Sequence, residues 1–229
     1  MQDLNNEPNY YYNMKYDTVF WDWNGTIIDD VDLCMECVNS LLIEQELNTF
    51  KTRAEYHAVF RFPIIDYYIK AGFDFDKEPF ESLAAKYIER YEANCRKCVV
   101  FPDVYAFIRR LKKEGVSQII LSASERNGLV DWINRSGIGD CFDGVIGNDN
   151  IYAEGKEQAA KDWMTKHGNI TGKAVMIGDT PHDVEVAKSI GADPVVIARG
   201  HASKAALTQT GAPVFDNADE LAAFLGLRK

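Results

Sequence analysis

The apolar residues of this chain follow two periodicities, which divide it near residue 99. The run at residues 19–21 is β-branched and aromatic, so it predicts a buried strand that ends at Asp22 and leads into a turn at 24–25. Apolar residues then recur at helical spacing from residue 29 to about residue 98, in stripes at 31–42, 64–68 and 80–91. We interpret this stretch as a small helical bundle, with Thr26 and Asp30 as candidate caps of its first helix.

Beyond Pro102 the pattern changes to short apolar runs that alternate with helical stripes. The runs predict strands at 119–121, 142–146, 174–177 and 194–198, and the stripes predict helices at 104–113, 125–135, 154–167 and 183–190. Strands joined by helices of this length form right-handed crossovers and a parallel sheet. We therefore expect an α/β protein with a Rossmann-like, doubly wound parallel core (1–28 and 99–229) and an inserted α-helical cap domain (29–98).

Composition and charge narrow the classes of partner. The 229 residues carry a formal net charge of −10, which argues against nucleic acid because phosphate backbones need a basic face. No apolar run in the sequence approaches the ~18 residues of a membrane span. The first residues also lack the basic and apolar segments of a signal peptide. We expect a cytoplasmic monomer or homodimer that binds neither membranes nor nucleic acid.

Two Cys-x-x-Cys pairs, Cys34 with Cys37 and Cys95 with Cys98, raise the question of a metal site. The gap between the pairs far exceeds the roughly 15–20 residues of the usual zinc pattern, so buried thiols are favoured over a four-cysteine site. The total of five cysteines is odd, which argues against a disulfide framework in a chain of this size.

Three predicted strands end in the polar side chains of Asp22, Ser122 and Asp179. Such ends converge on the crevice of a doubly wound sheet. Two carboxylates supply hard oxygen ligands suited to Mg²⁺. Ser122 and the backbone amides beside it offer hydrogen bonds to a phosphate, while Lys156 offers a compact positive charge. Asp183, one turn beyond Asp179, is a candidate to orient a ligand or a water molecule.

In this order, the residues resemble the haloacid dehalogenase superfamily, in its branch with a helical cap inserted after the first strand. The family's first motif, Asp-x-Asp-Gly-Thr, is matched by Asp-Trp-Asn-Gly-Thr at 22–26. Its second motif is an apolar strand ending in Ser or Thr (119–122), and its third is a lysine (Lys156). Its fourth is an apolar strand followed by Gly-Asp and a further Asp (174–183). The resemblance covers nearly everything from residue 17 to residue 199.

The resemblance implies a Mg²⁺-dependent phosphatase that acts on a small phosphorylated metabolite, similar to phosphoglycolate phosphatase. Asp22 would be the nucleophile, and it would form an aspartyl-phosphate that water then hydrolyses. The implied metal ligands are Asp22, the main-chain carbonyl of Asn24, and Asp179. The implied phosphate-binding groups are Ser122, Ala123 and Lys156, which neutralise the transferring oxygens.

One position departs from the family pattern. The family's phosphatases carry an aspartate two residues after the nucleophile as general acid and base, whereas this chain has Asn24, whose amide cannot donate and recover a proton at neutral pH. Losing such a group typically costs about 10²–10⁴-fold in rate. Two alternatives stay open. The first is a carbon–phosphorus hydrolase similar to phosphonoacetaldehyde hydrolase, which would need a cap lysine such as Lys51 or Lys70. The second is a non-catalytic phospho-ligand binder.

The cap is expected to select the substrate. Arg61 and Arg126 are candidate substrate-binding cations at the edges of the cleft, although arginines in such positions more often carry solvated surface charge. We do not expect His57 and His182 to be metal ligands, because oxygen donors already fill the inferred metal site.

Overall fold

A single parallel sheet forms the centre of the structure. The computed structural model describes residues 14–152, 155–167 and 172–227. Its strands are β1 (Thr18–Trp21), β2 (Ser117–Glu125), β3 (Gly144–Asn148), β4 (Ala174–Gly178), β5 (Asp193–Ile197) and β6 (Val214–Phe215). They lie in the order β3-β2-β1-β4-β5-β6, and every pair is parallel. The chain thus starts near the middle of the sheet and winds outward in both directions, which confirms the expected doubly wound α/β fold.

Helices follow the strands and fill the long insertion after β1. They are α1 (Val31–Glu44), α2 (Arg53–Val59), α3 (Ile64–Ala71), α4 (Phe80–Asn94), α5 (Pro102–Lys113), α6 (Arg126–Arg135), α7 (Glu157–His167), α8 (Pro181–Ser189), α9 (Lys204–Gln209) and α10 (Ala218–Phe224), with 3₁₀ turns at Cys95–Lys97 and Gly139–Cys141. Within the described ranges, no helix combines the length and the apolar character that crossing a membrane requires.

The alternation of side chains along β1 builds two separate layers of core. Val19 and Trp21 face one side of the sheet, where they pack in a cluster with residues of α5, α6 and α10. Phe20 points to the other side and packs with residues of α7 and α8. Successive side chains of a strand point to opposite faces, so a fully apolar strand is buried on both. All three residues are completely buried, as the apolar run predicts.

The helices α1 to α4 share an apolar cluster of their own. Leu41 of α1, Tyr56 of α2, Tyr67 of α3 and Leu83 of α4 are each nearly inaccessible to solvent and belong to this cluster. A separate core is what defines an independent packing unit. We call these four helices the cap; the domain limits at residues 28 and 99 stay predictions.

Two segments join the cap to the sheet, and they lie side by side. Ile28 bridges to Val100, the amide of Asp29 donates to the carbonyl of Val99 at 3.0 Å, and the amide of Phe101 donates to the carbonyl of Ile27 at 3.0 Å. The cap therefore leaves the core and returns to it through one hydrogen-bonded ribbon.

Several element boundaries differ from the sequence predictions by a few residues, such as β3 and the start of α5, and those of β2 and α8 differ for local reasons. Strand β2 continues past Ser122 to Glu125, with a break in its register between Leu121 and Glu125. Helix α8 begins at Pro181 instead of residue 183 because Thr180 caps it: the Thr180 side chain accepts from the backbone amide of Asp183, and the Asp183 carboxylate accepts from the amide of Thr180. This is a capping box with proline in the first turn.

Candidate active site

The first acid of the site continues β1 beyond its last strand residue. The amide of Asp22 donates to the carbonyl of Ile177 in β4 at 2.9 Å, so the two strand ends stay in register. Asp179 follows β4 directly, and this places both carboxylates at the same edge of the sheet. Gly25 turns the chain between them with φ of 71°, and a Cβ there would lie only 2.5 Å from Oδ2 of Asp179. Glycine at this turn is thus required both by backbone conformation and by space.

Lys156 connects two acids of the site. Its ammonium forms a short ion pair with Oδ1 of Asp22 and lies 2.6 Å from Oδ1 of Asp183. The lysine is 2% exposed. Although burial disfavours a charged amine, the adjacent carboxylates of Asp183 and Asp22 raise the pKa of Lys156. The lysine therefore stays protonated and holds its positive charge beside the proposed nucleophile.

Asp183 holds Lys156 from the first turn of α8. Its Oδ2 accepts hydrogen bonds from the amide of Thr180 at 2.9 Å, from the Thr180 hydroxyl at 2.6 Å and from the amide of Asp179 at 3.1 Å. Burial opposes ionisation of Asp183, but Lys156 and these hydrogen bonds lower its pKa. One carboxylate oxygen thus fixes the helix start while the other positions the lysine.

Thr26 and Asp30 do not cap the first cap helix, contrary to the sequence prediction. The Thr26 hydroxyl lies 2.8 Å from Oδ1 of Asp179 and 3.2 Å from Oδ2 of Asp22, so it donates into the acidic site. Asp30 occupies the N-cap position of α1 but makes no side-chain capping hydrogen bond. Its Oδ1 accepts from the amide of Gly25 at 2.8 Å. Both side chains turn back toward the strand ends because they find hydrogen-bond partners there: carboxylate acceptors for Thr26 and the Gly25 amide donor for Asp30.

Three carboxylates meet where the sequence predicts a metal. One oxygen from each of Asp22, Asp179 and Asp183 lies within 4.8 Å of the others, and all three residues are buried. Burial raises the pKa of Asp22 well above its ordinary value; Lys156 opposes this, while Asp183 and Asp179 add to it. Burial also raises the pKa of Asp179 to about 6, against the opposing charge of His201. A divalent cation with a preference for oxygen ligands relieves this crowding, so the donor set fits Mg²⁺.

The side chain of Asn24 is hydrogen-bonded on both sides of its amide. Its Nδ2 donates to Oδ2 of Asp30 at 2.6 Å and to the hydroxyl of Tyr91 at 2.7 Å, and its Oδ1 accepts from the hydroxyl of Ser124 at 2.9 Å. The Tyr91 hydroxyl in turn donates to Asp30 at 2.6 Å. Because Tyr91 belongs to α4, this network ties the cap to the position next to the nucleophile. The Asn24 amide therefore donates hydrogen bonds that an ionised carboxylate at this position, which has no donor, would not replace.

His201 is a buried member of the site that the sequence analysis does not predict. Its Nδ1 lies 2.8 Å from the hydroxyl of Tyr56, its Nε2 lies 3.5 Å from Oδ1 of Asp30, and its backbone amide donates to Oδ2 of Asp179. Burial disfavours the imidazolium, but the hydrogen bond and charge of Asp30, with the charges of Asp179 and Asp22, raise the pKa of His201 to about 9. No motif marks this histidine, because its side-chain partners Tyr56 and Asp30 lie more than a hundred residues away along the chain.

A second group of site residues lies at the register break within β2. Ser122 is 1% exposed, and its Oγ accepts from the amide of Ser124 at 3.1 Å. The carbonyl of Ala123 accepts from Asn148 at 3.0 Å, which fixes the peptide beside Ser122. Ser122, Ala123 and Lys156 all line one cavity together with Asp22 and Asp179. The structure thus brings the predicted phosphate-binding and metal-binding residues together.

That cavity has a volume of about 420 Å³ and lies between the strand ends and the cap. The core contributes the acids, Ser122 and Lys156. The cap contributes a wall that includes Tyr56, Phe60 and Tyr91. Pockets of this kind, with few polar groups converging at one end and apolar walls elsewhere, are typical of small-molecule sites.

Comparison with known proteins agrees with this arrangement of strand ends and cap. The model of the haloacid dehalogenase-like hydrolase family matches residues 19–197. The chain belongs to this family. As a haloacid dehalogenase-like hydrolase it is an enzyme of the class that the motifs predict.

The relatives of this hydrolase are distant but span most of the chain. A phosphoglycolate phosphatase of Pseudomonas putida is 24% identical over 80% of this chain and 70% of its own, and the pyrophosphatase PpaX of Halalkalibacterium halodurans is 23% identical over 80% and 84%. Among solved structures, a haloacid dehalogenase-like family hydrolase from Streptococcus pneumoniae superposes with a TM-score of 0.77 at 18% identity, covering 92% of this chain and 98% of that one. Relatives of similar identity are named for different substrates, so these names leave the substrate open.

Two arginines of this hydrolase that were candidates for substrate binding do not line the cavity, although their chain neighbours Phe60, Phe62 and Glu125 do. Arg61 and Arg126 are exposed and are not among its lining residues. The lining arginines are instead Arg96, on the 3₁₀ turn after α4, and Arg135, at the end of α6. Sequence reasoning did not find them because helix ends far apart in the chain meet only in the folded structure.

All five cysteines lie in the described part of the chain, and none of them forms a disulfide there. Cys34 and Cys37 are buried, and Cys95 and Cys98 are half-buried. Among the described residues, the group of potential ligand atoms that includes a cysteine joins Cys34 to Asp30 and His201, not to another cysteine. Asp30 already accepts hydrogen bonds from Asn24, Tyr91 and the amide of Gly25, so this group is satisfied without a metal.

Proposed function

We propose that this hydrolase is a Mg²⁺-dependent phosphatase that hydrolyses a small phosphomonoester through an aspartyl-phosphate on Asp22. The observation that carries the proposal is the placement of Asp22 between a buried lysine, a hydroxyl donor from Thr26 and a second carboxylate, Asp179. An aspartate nucleophile, a fixed positive charge and a divalent cation are the groups that phosphoryl transfer requires.

Each residue has a distinct role in this proposal. Asp22 attacks phosphorus, and the ester oxygen leaves; water then attacks the aspartyl-phosphate and releases inorganic phosphate. Lys156 and Ser122, with the amide of Ala123, bind the equatorial phosphate oxygens and stabilise their charge. Asp22, Asp179 and the main-chain carbonyl of Asn24 would hold Mg²⁺, which supplies charge neutralisation to the phosphoryl group when bound.

The substrate is a small phosphorylated metabolite in this proposal. Relatives named phosphoglycolate phosphatase support a phosphomonoester of this class. The cytoplasmic location and the monomeric or homodimeric state stay predictions from the sequence.

The carbon–phosphorus hydrolase has less support than the phosphatase. Such an enzyme would need a lysine on the cap, but the candidates Lys51 and Lys70 are exposed, and neither is among the cavity-lining residues. The Lys70 ammonium donates instead to the carbonyl of Ala58 at 2.7 Å. Lys156, which belongs to the core and not to the cap, is the one lysine among the described residues that line the cavity.

Release of inorganic phosphate from phenyl phosphate tests the proposal. We expect release that depends on Mg²⁺ and that Asp22→Asn lowers by about 10³-fold or more, because a lost nucleophile is not replaced by its neighbours. Asp29→Asn is the matched control: its carboxylate is exposed, lies seven residues along the chain and does not line the cavity.

Two results would contradict the proposal. Full turnover by Asp22→Asn would show that another residue attacks phosphorus. Thermal stabilisation by inorganic phosphate without turnover of any phosphomonoester would favour the non-catalytic binder, since a ligand that binds only the native state raises the melting temperature.

A further inference from the structure

We propose that the substrate of this phosphatase is a phosphate ester of an aromatic hydroxyl, bound with its ring against the cap. The inference rests on the proposed function and adds the chemical class of the leaving group. It is carried by the wall that the cap presents to the cavity, by the position of the cavity's cations and by the chemistry available at residue 24.

Most of the cavity wall that the cap contributes is uncharged; the charged lining residues there, among those the structure describes, are Glu92 near the end of α4 and Arg96 on the turn that follows. Between residues 31 and 91, every cap residue that lines the cavity is aromatic, aliphatic or cysteine. Phe60 stacks on His201 with ring centroids 5.0 Å apart, and Tyr91 meets Trp132 edge to face at 5.8 Å. Aromatic side chains pack well against a further ring. The wall therefore offers ring surface from the edge of the acidic site outward.

The cavity is also larger than a phosphate on a two-carbon acid requires. Its volume of about 420 Å³ falls within the roughly 300–1,000 Å³ of pockets that enclose drug-sized ligands. A phosphate bound beside Asp22 leaves the cap side of this volume for the leaving group. Filling it with apolar groups gains binding free energy in proportion to the area removed from water.

The cations of the cavity are not arranged to bind a carboxylate on the leaving group. Lys156 and His201 are buried and already paired with Asp22 and Asp30. The remaining cations among the described lining residues are Arg96 and Arg135, which are exposed, and Arg135 pairs with Asp131 at 2.8 Å. A leaving group such as glycolate would bring its carboxylate against a mostly uncharged wall whose acid on α4 is Glu92, and an unpaired charge there is costly.

The residue beside the nucleophile favours the same class of leaving group. Asn24 holds its amide protons toward Asp30 and Tyr91 and has none to transfer to a departing oxygen. A phenolate leaves as a weak base and needs no proton during bond cleavage, whereas an alkoxide does. In the proposed step the bond between phosphorus and the aryl oxygen breaks as the bond to Asp22 forms. The phenolate then takes a proton from water, and a second water converts the aspartyl-phosphate to inorganic phosphate.

A panel of four substrates separates ring binding from leaving-group chemistry: 2-naphthyl phosphate, phenyl phosphate, acetyl phosphate and phosphoglycolate, each with Mg²⁺. Phenol and naphthol are similar in acidity, so a difference between their esters reports on the cavity. We expect kcat/KM for the naphthyl ester to exceed that for the phenyl ester by about tenfold, in line with the gain per added apolar group in a fitted pocket. Phosphoglycolate should fall about 10²-fold below phenyl phosphate, the typical size of a missing acid contribution.

A change in the cap wall provides a second test. Ile88 lines the cavity from α4 and is only half-buried, so Ile88→Trp fills ring space without opening the cap core. We expect this variant to lower kcat/KM for naphthyl phosphate by about tenfold and to change acetyl phosphate less than about twofold. The matched control is Ile69→Trp, at an exposed apolar residue outside the cavity lining, which should change neither. If circular dichroism shows that Ile88→Trp is unfolded, Ala84→Leu replaces it.

The outcomes distinguish this inference from the proposed function. Mg²⁺-dependent turnover of phosphoglycolate at or above the naphthyl ester would overturn the inference and leave the phosphatase intact. Equal values for the naphthyl and phenyl esters, or an equal loss on acetyl phosphate in Ile88→Trp, would also overturn it. No release from any of the four substrates would overturn the phosphatase proposal, and the inference with it.

Discussion

A carboxylate at position 24 would meet a second carboxylate instead of solvent. Nδ2 of Asn24 donates to Asp30 at 2.6 Å, and Asp30 stays ionised because His201, Tyr91 and Asn24 lower its pKa against the effect of burial. The sequence alone suggests that Asn24→Asp restores a general acid. The hydrogen bonds show that such an acid also has to replace a donor and avoid a like charge.

We expect Asn24→Asp alone to lower the free energy of unfolding by about 1–3 kcal/mol, the usual cost of a buried group without its partner. The double variant Asn24→Asp/Asp30→Asn exchanges amide and carboxylate and should recover part of that loss, because it restores the hydrogen bond between the two positions but removes the carboxylate that pairs with His201. It should also raise turnover of an alkyl phosphate by up to about 10²-fold, while aryl phosphates change less. Urea denaturation and kcat/KM for the two substrate types measure both effects.

Asn48→Asp is the control for this exchange, because Asn48 is exposed and its substitution tests the added charge alone. If Asn24→Asp and the double variant have the same free energy of unfolding, residues 24 and 30 do not interact in a way that affects stability. An unchanged ratio of alkyl to aryl turnover in the double variant would mean that position 24 has no part in protonating the leaving group.

At the scale of residues, the sequence predicted those site members that end apolar strands or follow a glycine. Asp22, Ser122 and Asp179 have this signal, and Lys156 follows Gly155; all four line one cavity. Asp30, Tyr91, Ser124 and His201 complete the network around Asn24 but lack such a signal. Tyr91 and Ser124 lie 67 and 100 residues from Asn24 along the chain, and only the fold brings them together. Asp30 lies six residues from Asn24, but its position in the sequence predicts a helix cap.

At the scale of elements, one ion pair connects three segments of the core. Arg199, after β5, forms two hydrogen bonds with the carboxylate of Asp103 in α5, at 2.8 and 2.6 Å. The same carboxylate accepts from the amide of Ala218 at the start of α10, at 2.9 Å. Paired charges at a helix start with good geometry can stabilise a fold more than exposed pairs do.

This pair should make stability depend on pH in the acid range. The hydrogen bonds from Arg199, opposed by partial burial, lower the pKa of Asp103 to about 2. Because the folded pKa lies below the unfolded value, the contribution is complete above about pH 4 and is lost as the pH falls toward about 2. Asp103→Asn should therefore lower the free energy of unfolding at neutral pH by about 1 kcal/mol, allowing for solvent screening, and the gap to wild type should close on acidification.

Urea denaturation of both proteins across this range is the measurement. Asp140→Asn is the matched control, since Asp140 pairs with Arg109 at 2.9 Å on the exposed surface, where such pairs contribute little. A gap between Asp103→Asn and wild type that stays constant from neutral pH to about pH 3 would contradict the assigned role.

The cap is expected to move as a unit about the ribbon that joins it to the core. In the structure it already contacts the core at several points: His57 lies 3.0 Å from the carbonyl of Gly200, and Phe62 stacks on His182 at 4.7 Å. We expect small-angle scattering to give a smaller radius of gyration with Mg²⁺ and beryllofluoride than without, because closure excludes water from the phosphate.

Phe62→Ala removes one contact that holds the cap against the core, so we expect it to increase the radius of gyration in the absence of ligand. With Mg²⁺ and beryllofluoride bound, the radius of gyration should be closer to that of wild type. Ile69→Ala, on the exposed face of α3, is its control. An identical radius in every state and variant would show that the cap does not hinge.

The sequence identified the long elements better than the short ones. The apolar stripes of α1, α3 and α4 and the runs of β1 and β4 are long or strongly patterned. The elements α2, α9, β6 and α10 were not predicted individually. These are short: β6 spans Val214–Phe215, two residues, and α9 spans six, so their stability comes from tertiary packing instead of local pattern.

At the scale of the whole molecule, a site of crowded acids should couple metal binding to folding. The chain carries a net charge of −10, and Asp22, Asp179 and Asp183 concentrate part of it in the core. We expect Mg²⁺ to raise the melting temperature progressively with concentration, because only the native state assembles the donors. Asp179→Asn should lose most of this response.

The control for general screening is Asp216→Asn, at an exposed carboxylate paired with Lys204, which should keep the full Mg²⁺ response. Sodium chloride at matched ionic strength should not reproduce the shift. An equal response in Asp179→Asn would remove Asp179 from the set of proposed ligands.

The sequence predicted a parallel sheet but not the order of its strands. Alternating runs and stripes establish that strands are joined by helices, whereas the neighbours of β1 on each side depend on which helices pack on which face. The sequence predicts a division into cap and core because the apolar pattern of the insertion is helical while that of the remainder alternates between strands and helices.

The ribbon at Ile28 and Val100 has a consequence for how such an enzyme can diversify. Since the inserted helices enter and leave at one paired point, a foreign insertion of different length could be spliced there without displacing either flanking strand. Residues 29–98 would then be exchangeable between related enzymes by recombination at these two paired segments. A chimaera made in this way would take its catalytic residues from one parent and its substrate specificity from the other.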